Sequence, residues 1–171
     1  MGLDMYLDKC DRRAYGFKDL DISDVKKNNP SLYNTIKPYI KERGSYYRWE
    51  SLFEEVGYWR KANSIHKWFV DNVQDGVDDC ERYEVSKEQL KNLLDVCVKV
   101  VDASKCTEDG EYLINVEVAE ELLPTQGGFF FGSIEYDHWY INDVVETIDI
   151  LKKVINDTDF DREIITYTSS W

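Results

Sequence analysis

Apolar and polar residues alternate at the start of the chain, where Leu3, Met5 and Leu7 interleave with Asp4, Tyr6 and Asp8. A period of two gives a strand one apolar face, so this stretch predicts the first strand of a sheet. From Arg12 the pattern fades and ends in Asn28, Asn29 and Pro30, which predicts a loop with a short helix around Ser23 to Lys27. Beyond Pro30, Leu32, Ile36, Tyr39 and Ile40 fit a helical face, but Pro38 lies inside it. A helix ending before Pro38, or two short turns, is therefore expected. Tyr46 to Val56 reads either as a strand or as a backward extension of the segment that follows it.

That segment, Gly57 to Val73, carries the most concentrated pattern in the chain. At 3.6 residues per turn, Trp59, Asn63, His66, Val70 and Val73 fall in one row, with Tyr58, Ala62, Ile65 and Phe69 in the row beside it. Gly57 reads as the break before the main helix. Its apolar stripe is expected to lie on a core. Arg60, Ser64, Lys67 and Asp71 form the opposite row, expected to face solvent. Asn63 and His66 interrupt the stripe three residues apart, so they are neighbours on the helix surface. Burying either without a partner costs about 1 to 3 kcal/mol, so they either bond each other and nearby backbone or face a cavity.

Asn72 to Glu81 is a polar turn around Asp75 and Gly76. Counted from Asp71 as an EF-hand loop, its third and twelfth positions are Val73 and Arg82, which cannot ligate calcium. Ser86 with Gln89 forms a capping box opening a second helix, with Leu90, Leu93, Leu94, Cys97 and Val101 on its inner face. Residues 102–111 read as a polar link. A short helix follows over Val116 to Leu123, stopped by Pro124. Phe129, Phe130 and Phe131, flanked by glycines, read as a buried strand or tight turn against the Gly57–Val73 segment, with a place in a pocket wall. Asp137 is the expected cap of a third helix to about Ile155, with Ile141, Val144, Val145, Ile148, Leu151 and Ile155 facing inward. The closing REIITYTSSW favours a strand paired with the N-terminal one. The fold class is thus α+β: a single domain, 1–171, with a small antiparallel or mixed sheet that includes both chain termini, packed against about three main helices.

The net charge of -13 is unevenly spread. Residues 1–69 hold 13 Lys or Arg against 10 Asp or Glu, and residues 70–171 hold 8 against 24. The acidic remainder argues against duplex nucleic acid as a partner and directs any anionic ligand to the first part. Cysteines at 10, 80, 97 and 106 form no C-x-x-C pair and only His66 and His138 accompany them, so neither a zinc site nor another metal is expected. No apolar run reaches the 18 to 20 or so residues that span a membrane. Without a signal-like start, reduced thiols in a cytoplasm are expected.

Candidate chemistry gathers between Arg43 and Phe69, where Arg43, Arg48, Arg60, Lys61 and Lys67 interleave with eight aromatic residues. Guanidinium groups suit phosphate, and indole or phenol faces suit base stacking. Arg48, Trp49, Trp59, Arg60, Asn63 and His66 are therefore the candidate ligand-binding residues, with the row of Trp59, Asn63 and His66 as pocket wall and Arg48 and Trp49 reaching over it. No catalytic residue and no cofactor is assigned.

MGLDMYL at the start, GYWRKANSIHKWF, LLPTQGGFFFG and the closing YTSSW together resemble a group of small uncharacterised bacteriophage and prophage proteins. The resemblance implies an accessory protein in the host bacterial cytoplasm and supplies no site residues. Three functions compete. The first is binding of a small anionic, nucleotide-like ligand, with sequestration of a host defence signal and a homo-oligomer as further expectations. The second is an acidic interaction protein inhibiting a basic host protein. The third is a hydrolase using His66 as general base, oriented by Glu54 or Glu55, for which no nucleophile motif is present.

Overall fold

A computed structural model describes residues 2–50, 52–107 and 111–171. The chain opens with strand β1 (Asp4–Asp11), then helices α1 (Arg12–Tyr15), α2 (Ile22–Asn28) and α3 (Pro30–Ile36). Hairpin strands β2 (Ile40–Arg43) and β3 (Tyr46–Trp49) follow, then β4 (Glu54–Arg60) and helix α4 (Asn63–Asn72). Strand β5 (Tyr83–Val85), helix α5 (Lys87–Ala103) and the short strands β6 (Lys105–Cys106) and β7 (Tyr112–Leu113) come next. Helices α6 (Val116–Leu122) and α7 (His138–Asp157) lead to strand β8 (Glu163–Ser170). Of the link expected over 102–111, residues 108–110 lie outside the described residues; α5 continues into it as far as Ala103.

The main sheet has the order β4-β1-β8-β5, with every pairing antiparallel. β1 and β8 pair along their whole length, from Asp4 opposite Ser170 to Asp11 opposite Glu163, so the expected pairing of the chain's two end strands forms the centre of the sheet. Alternation sends Met5, Leu7, Ile165 and Tyr167 to one face, where α4, α5 and α7 cover them. Phe69 of α4 stacks on Tyr167 with centroids 4.0 Å apart. The capping box at Ser86 and the Asp137 cap are both formed.

The opposite face carries a smaller core of Cys10, Ala14, Leu52 and Ile164, covered by Tyr15, Phe17, Tyr39, Trp49 and Phe53. Arg82 donates to Asp8 Oδ2 at 2.6 Å and to Thr166 Oγ1 at 2.7 Å, with its guanidinium 4.0 Å from the Phe53 ring centroid. A buried aspartate on the sheet is thereby paired and its partner packed.

The Gly57–Val73 segment is not one helical unit. Gly57 is inside β4, paired with Leu7, and the helix begins only at Asn63. A Cβ at Gly57 would lie 2.7 Å from Ile150 Cγ2, so the glycine serves close packing of α7 on the sheet rather than a chain break. Trp59 is consequently a strand residue, and the solvated row fails at Ser64, which is buried.

Gly57→Ala should lower stability by about 1 to 3 kcal/mol through overpacking. Ile150→Ala should relieve part of that loss in a double-mutant cycle read by urea unfolding. Strict additivity of the two changes would dismiss the close approach as the reason for the glycine.

Candidate functional site

The turn from β4 into α4 holds one of three non-glycine residues with positive φ among the described residues. Lys61 has φ +63, a left-handed conformation that costs a side-chain-bearing residue about 1 to 2 kcal/mol. Its amide donates to Leu3 O at 2.8 Å, and its carbonyl accepts from Asn63 N at 2.8 Å. Ala62 then occupies the cap position of α4 and offers no side-chain oxygen. The other six α-helices of the described residues all begin with a side-chain cap, from Asp11, Asp21, Asn29, Ser86, Asn115 and Asp137. At α4 the amides of Ser64 and Ile65 have no partner among the described residues. Ser64 is 2% exposed and makes no side-chain hydrogen bond among them, although the buried side-chain oxygens left without a partner in the described residues are Gln74 Oε1 and Ser169 Oγ, in other parts of the chain.

Of this turn, Lys61, Asn63 and Ser64 line a cleft of about 410 Å³. One wall is Arg60, Lys61, Asn63 and Ser64; a second is the loop residues Thr125, Gly132, Ser133 and Glu135; the third is the start of α7, with Asp137, Trp139, Tyr140 and Asp143. Asn63 builds the second wall. Its Nδ2 donates to Phe131 O at 3.1 Å and Ser133 O at 2.6 Å, and its Oδ1 accepts from Gln126 N at 3.0 Å. Three of its four bonding positions therefore hold the loop against α4. Gly132, with φ +92, allows the loop to pass Lys61, whose Cβ would stand 3.2 Å from any Cβ placed there.

Trp59 sets the third wall from below. Its Nε1 donates to Thr147 Oγ1 at 2.8 Å, and the Thr147 hydroxyl donates to Asp143 O at 2.6 Å. The Asp143 turn of α7 is thus tied to the sheet. The Asp143 carboxylate has no hydrogen-bond partner among the described residues. Burial pushes it up to about 7, with Glu146 and Asp137 adding like-charge repulsion. Arg60 and Lys61 line the same cleft and give it cationic groups as well. Trp139, 65% exposed, lies four residues before Asp143 and so on the same helix face.

The expected site residues separate into three groups. Arg60 and Asn63 line the cleft. Trp59 and His66 are buried beneath it and touch it only through other residues. Arg48 and Trp49 belong to the β2–β3 hairpin, where they border a shallow depression with Leu20 to Ser23, and do not reach over the cleft. Strand pairing of Tyr46–Trp49 with Ile40–Arg43 carries them there.

His66 is fully buried and engaged at both ring nitrogens. Nε2 is 3.0 Å from Asp78 Oδ2, and Nδ1 is 2.7 Å from the Tyr167 hydroxyl. With Asp78 as acceptor, the matching assignment has Nε2–H donating and Nδ1 accepting from Tyr167. Asp78 Oδ1 also accepts from Trp171 Nε1 at 3.1 Å, which ties the chain's last residue to the same group. This is the satisfied core arrangement, reached through Asp78 and Tyr167 rather than through Asn63.

Of the three phenylalanines, only Phe131 is buried, its ring edge-on to His66 at 5.1 Å, while Phe129 is 94% exposed. The run is a tight turn, and the residues after it, not its rings, form the pocket wall. Lys61 was counted among the basic residues of the segment but not assigned to the site, and Ser64, Trp139 and Asp143 are cleft residues that sequence reasoning passed over. The trace they leave is the absent cap before α4 and a charged residue, Asp143, bordering the apolar stripe of α7.

Comparison with protein-family models, curated proteins and solved structures gives no match to this chain. Among the described residues no three His, Cys, Asp or Glu side chains converge as a metal-binding group.

Asn63→Ala should cost about 2 to 3 kcal/mol, since one buried and two part-buried loop groups lose their partner, and should raise hydrogen exchange in residues 125–133. An unchanged exchange pattern would show that the loop is held by other contacts. The Asp143 carboxyl carries a pH signature as well. In the unfolded chain it ionises near its ordinary value of about 4, so its contribution to stability is full below that pH and is lost as pH rises to about 7. Asp143→Asn should therefore raise the melting temperature at pH 8 and leave it nearly unchanged at pH 4. Equal effects at both pH values would mean that the carboxyl is not held neutral by burial.

Proposed function

We propose that the chain binds a small anionic, nucleotide-like ligand in the cleft. The single observation that carries this reading is the uncapped start of α4, where the free amide and the hydroxyl of Ser64 meet Arg60 and Lys61 in one cavity. A helix N-terminus attracts negative charge through its unpaired N–H groups and its dipole. The two cationic side chains add point charges that suit phosphate oxygens. On the third wall the exposed face of Trp139 suits stacking with a planar ring, which contributes about 1 to 3 kcal/mol per base in comparable settings. A volume of about 410 Å³ lies within the usual range for small-molecule sites.

Retention of the ligand fits these groups better than turnover. His66, the residue that a hydrolase reading needs, has no free ring nitrogen and no exposed surface. The resemblance to small phage proteins then gives retention a sense, namely withdrawal of a host nucleotide signal.

A thermal-shift panel of mononucleotides, dinucleotides and cyclic dinucleotides tests this. Ligand at 100 times its dissociation constant should add about 2.7 kcal/mol of stability, read as a rise of several degrees. A panel that leaves the transition unmoved throughout would defeat the proposal. Lys61→Gly should weaken binding tenfold or more while holding or raising the melting temperature, because the left-handed backbone relaxes as the charge is lost.

A further inference from the structure

We propose that the cleft selects a guanine base, with Asp143 accepting the two adjacent N–H groups of its Watson–Crick edge while the ring lies on Trp139. This rests on the nucleotide-binding reading above and specifies which base it takes.

The cleft holds two opposed demands. At the α4 end, Arg60, Lys61 and the free Ser64 amide call for an anion. At the α7 end, Asp143 is a carboxylate with no donor from the protein, and Asp137 and Glu135 beside it in the cleft add no donor. A ligand that meets both ends carries negative charge at one end and hydrogen-bond donors at the other. A carboxylate accepts through two oxygens, and it is best met by two parallel N–H groups.

Among the nucleobases, guanine offers that pair, from N1–H and the exocyclic N2 amine. Hypoxanthine retains N1–H and lacks the amine. Adenine sets an acceptor, N1, beside its amine, and cytosine sets N3 beside its own, so each places a lone pair against one carboxylate oxygen. Uracil has a single N–H between two carbonyls. A site with a buried polar group discriminates strongly against analogues that leave it unpaired.

Position supports the same assignment. Trp139 and Asp143 are four residues apart on one helix face, with Cβ atoms expected about 5 to 6 Å apart. A ring stacked on the indole therefore has its edge beside the carboxylate. The Asp143 turn is also fixed, through Thr147, by the buried Trp59. A preorganised acceptor of this kind is what base selection requires. A guanidinium-bearing amino acid shares the donor pair and the anionic end, but it offers the exposed indole no base to stack on.

Isothermal titration of the full chain at pH 8 with GMP, IMP, AMP and free arginine tests the inference. GMP should bind at least tenfold tighter than IMP and tighter still than AMP, with arginine weakest. Asp143→Asn should bring the three nucleotides to within about threefold of one another, while each still binds. Its melting temperature at pH 8 reports that the variant is folded. GMP and AMP binding equally to the wild type, or the preference for GMP surviving in Asp143→Asn, would overturn guanine selection and leave the nucleotide-binding reading standing. Arginine binding tighter than GMP would overturn it in favour of an amino-acid ligand. If none of the nucleotides binds, the underlying reading fails, and the selection with it.

Discussion

The pairing of β1 with β8 is the constraint on which the rest of the molecule depends. Two strands more than 150 residues apart in sequence are neighbours along eight residue pairs, and they present Leu7 and Tyr167 side by side to the helices. Neither β4 nor β5 has a sheet to join until this pair exists, since each attaches to one member of it. Closing so long a loop is entropically costly, and its return comes only when the apolar face is covered. The stacking of Phe69 on Tyr167 shows how that return is made: α4 is seated on the last strand of the chain, with Trp59 of the preceding strand packed against the same Phe69 ring at 6.0 Å.

From that seat, buried polar side chains fix what lies above. His66 joins Asp78 and Tyr167, and so locks α4, the turn before β5 and β8 together at one point. Asn63, one turn earlier, reaches the other way and holds the loop that follows α6. Trp59 fixes α7 through Thr147. Each is a polar contact withdrawn from water, where an unmade bond costs more than a made one contributes. Such contacts add little net stability and much positional precision, and the cleft is the space between the three elements they position.

The elements were legible because their signals are local. Alternation at Leu3 to Leu7, the Ser86–Gln89 box, Asp137 before an amphipathic run and the β-rich final residues each act within a few positions. Gly57 was misread because a glycine that breaks a chain and one that admits Ile150 look the same in sequence. Trp59 lay in register with Asn63 and His66 only on the assumption that the helix reached back that far, and the register lost its meaning once β4 occupied those residues. The importance of Asn63 and His66 was visible, since polar residues in an apolar stripe must be explained. Their partners were not: Asp78, Phe131 and Tyr167 come from distant parts of the chain. Arg48 and Trp49 were grouped with the site by nearness in sequence, and the hairpin turned that nearness into a different surface. Asp143 was invisible for the opposite reason, being some 80 residues from the basic segment whose cleft it shares.

What remains is why local costs gather where they do. A helix without its cap forgoes about 1 kcal/mol, a lysine in the left-handed region about as much again, and a partly buried carboxyl without a donor adds a further penalty. Against a total stability of about 5 to 15 kcal/mol for a typical domain, these are not small. Elsewhere the chain caps six other helices and pairs Asp8 with Arg82 and Asp78 with Trp171 and His66, while the left-handed backbone recurs at Asp75 and Cys80. What is particular to this cavity is that all three kinds of cost meet around it. Each is also the kind that a bound molecule removes: an anion supplies the missing cap and meets the lysine, and a donor pair meets the carboxylate. A fold that leaves the same groups unsatisfied on facing walls of a single cleft is one whose free state is completed by a ligand of matching polarity.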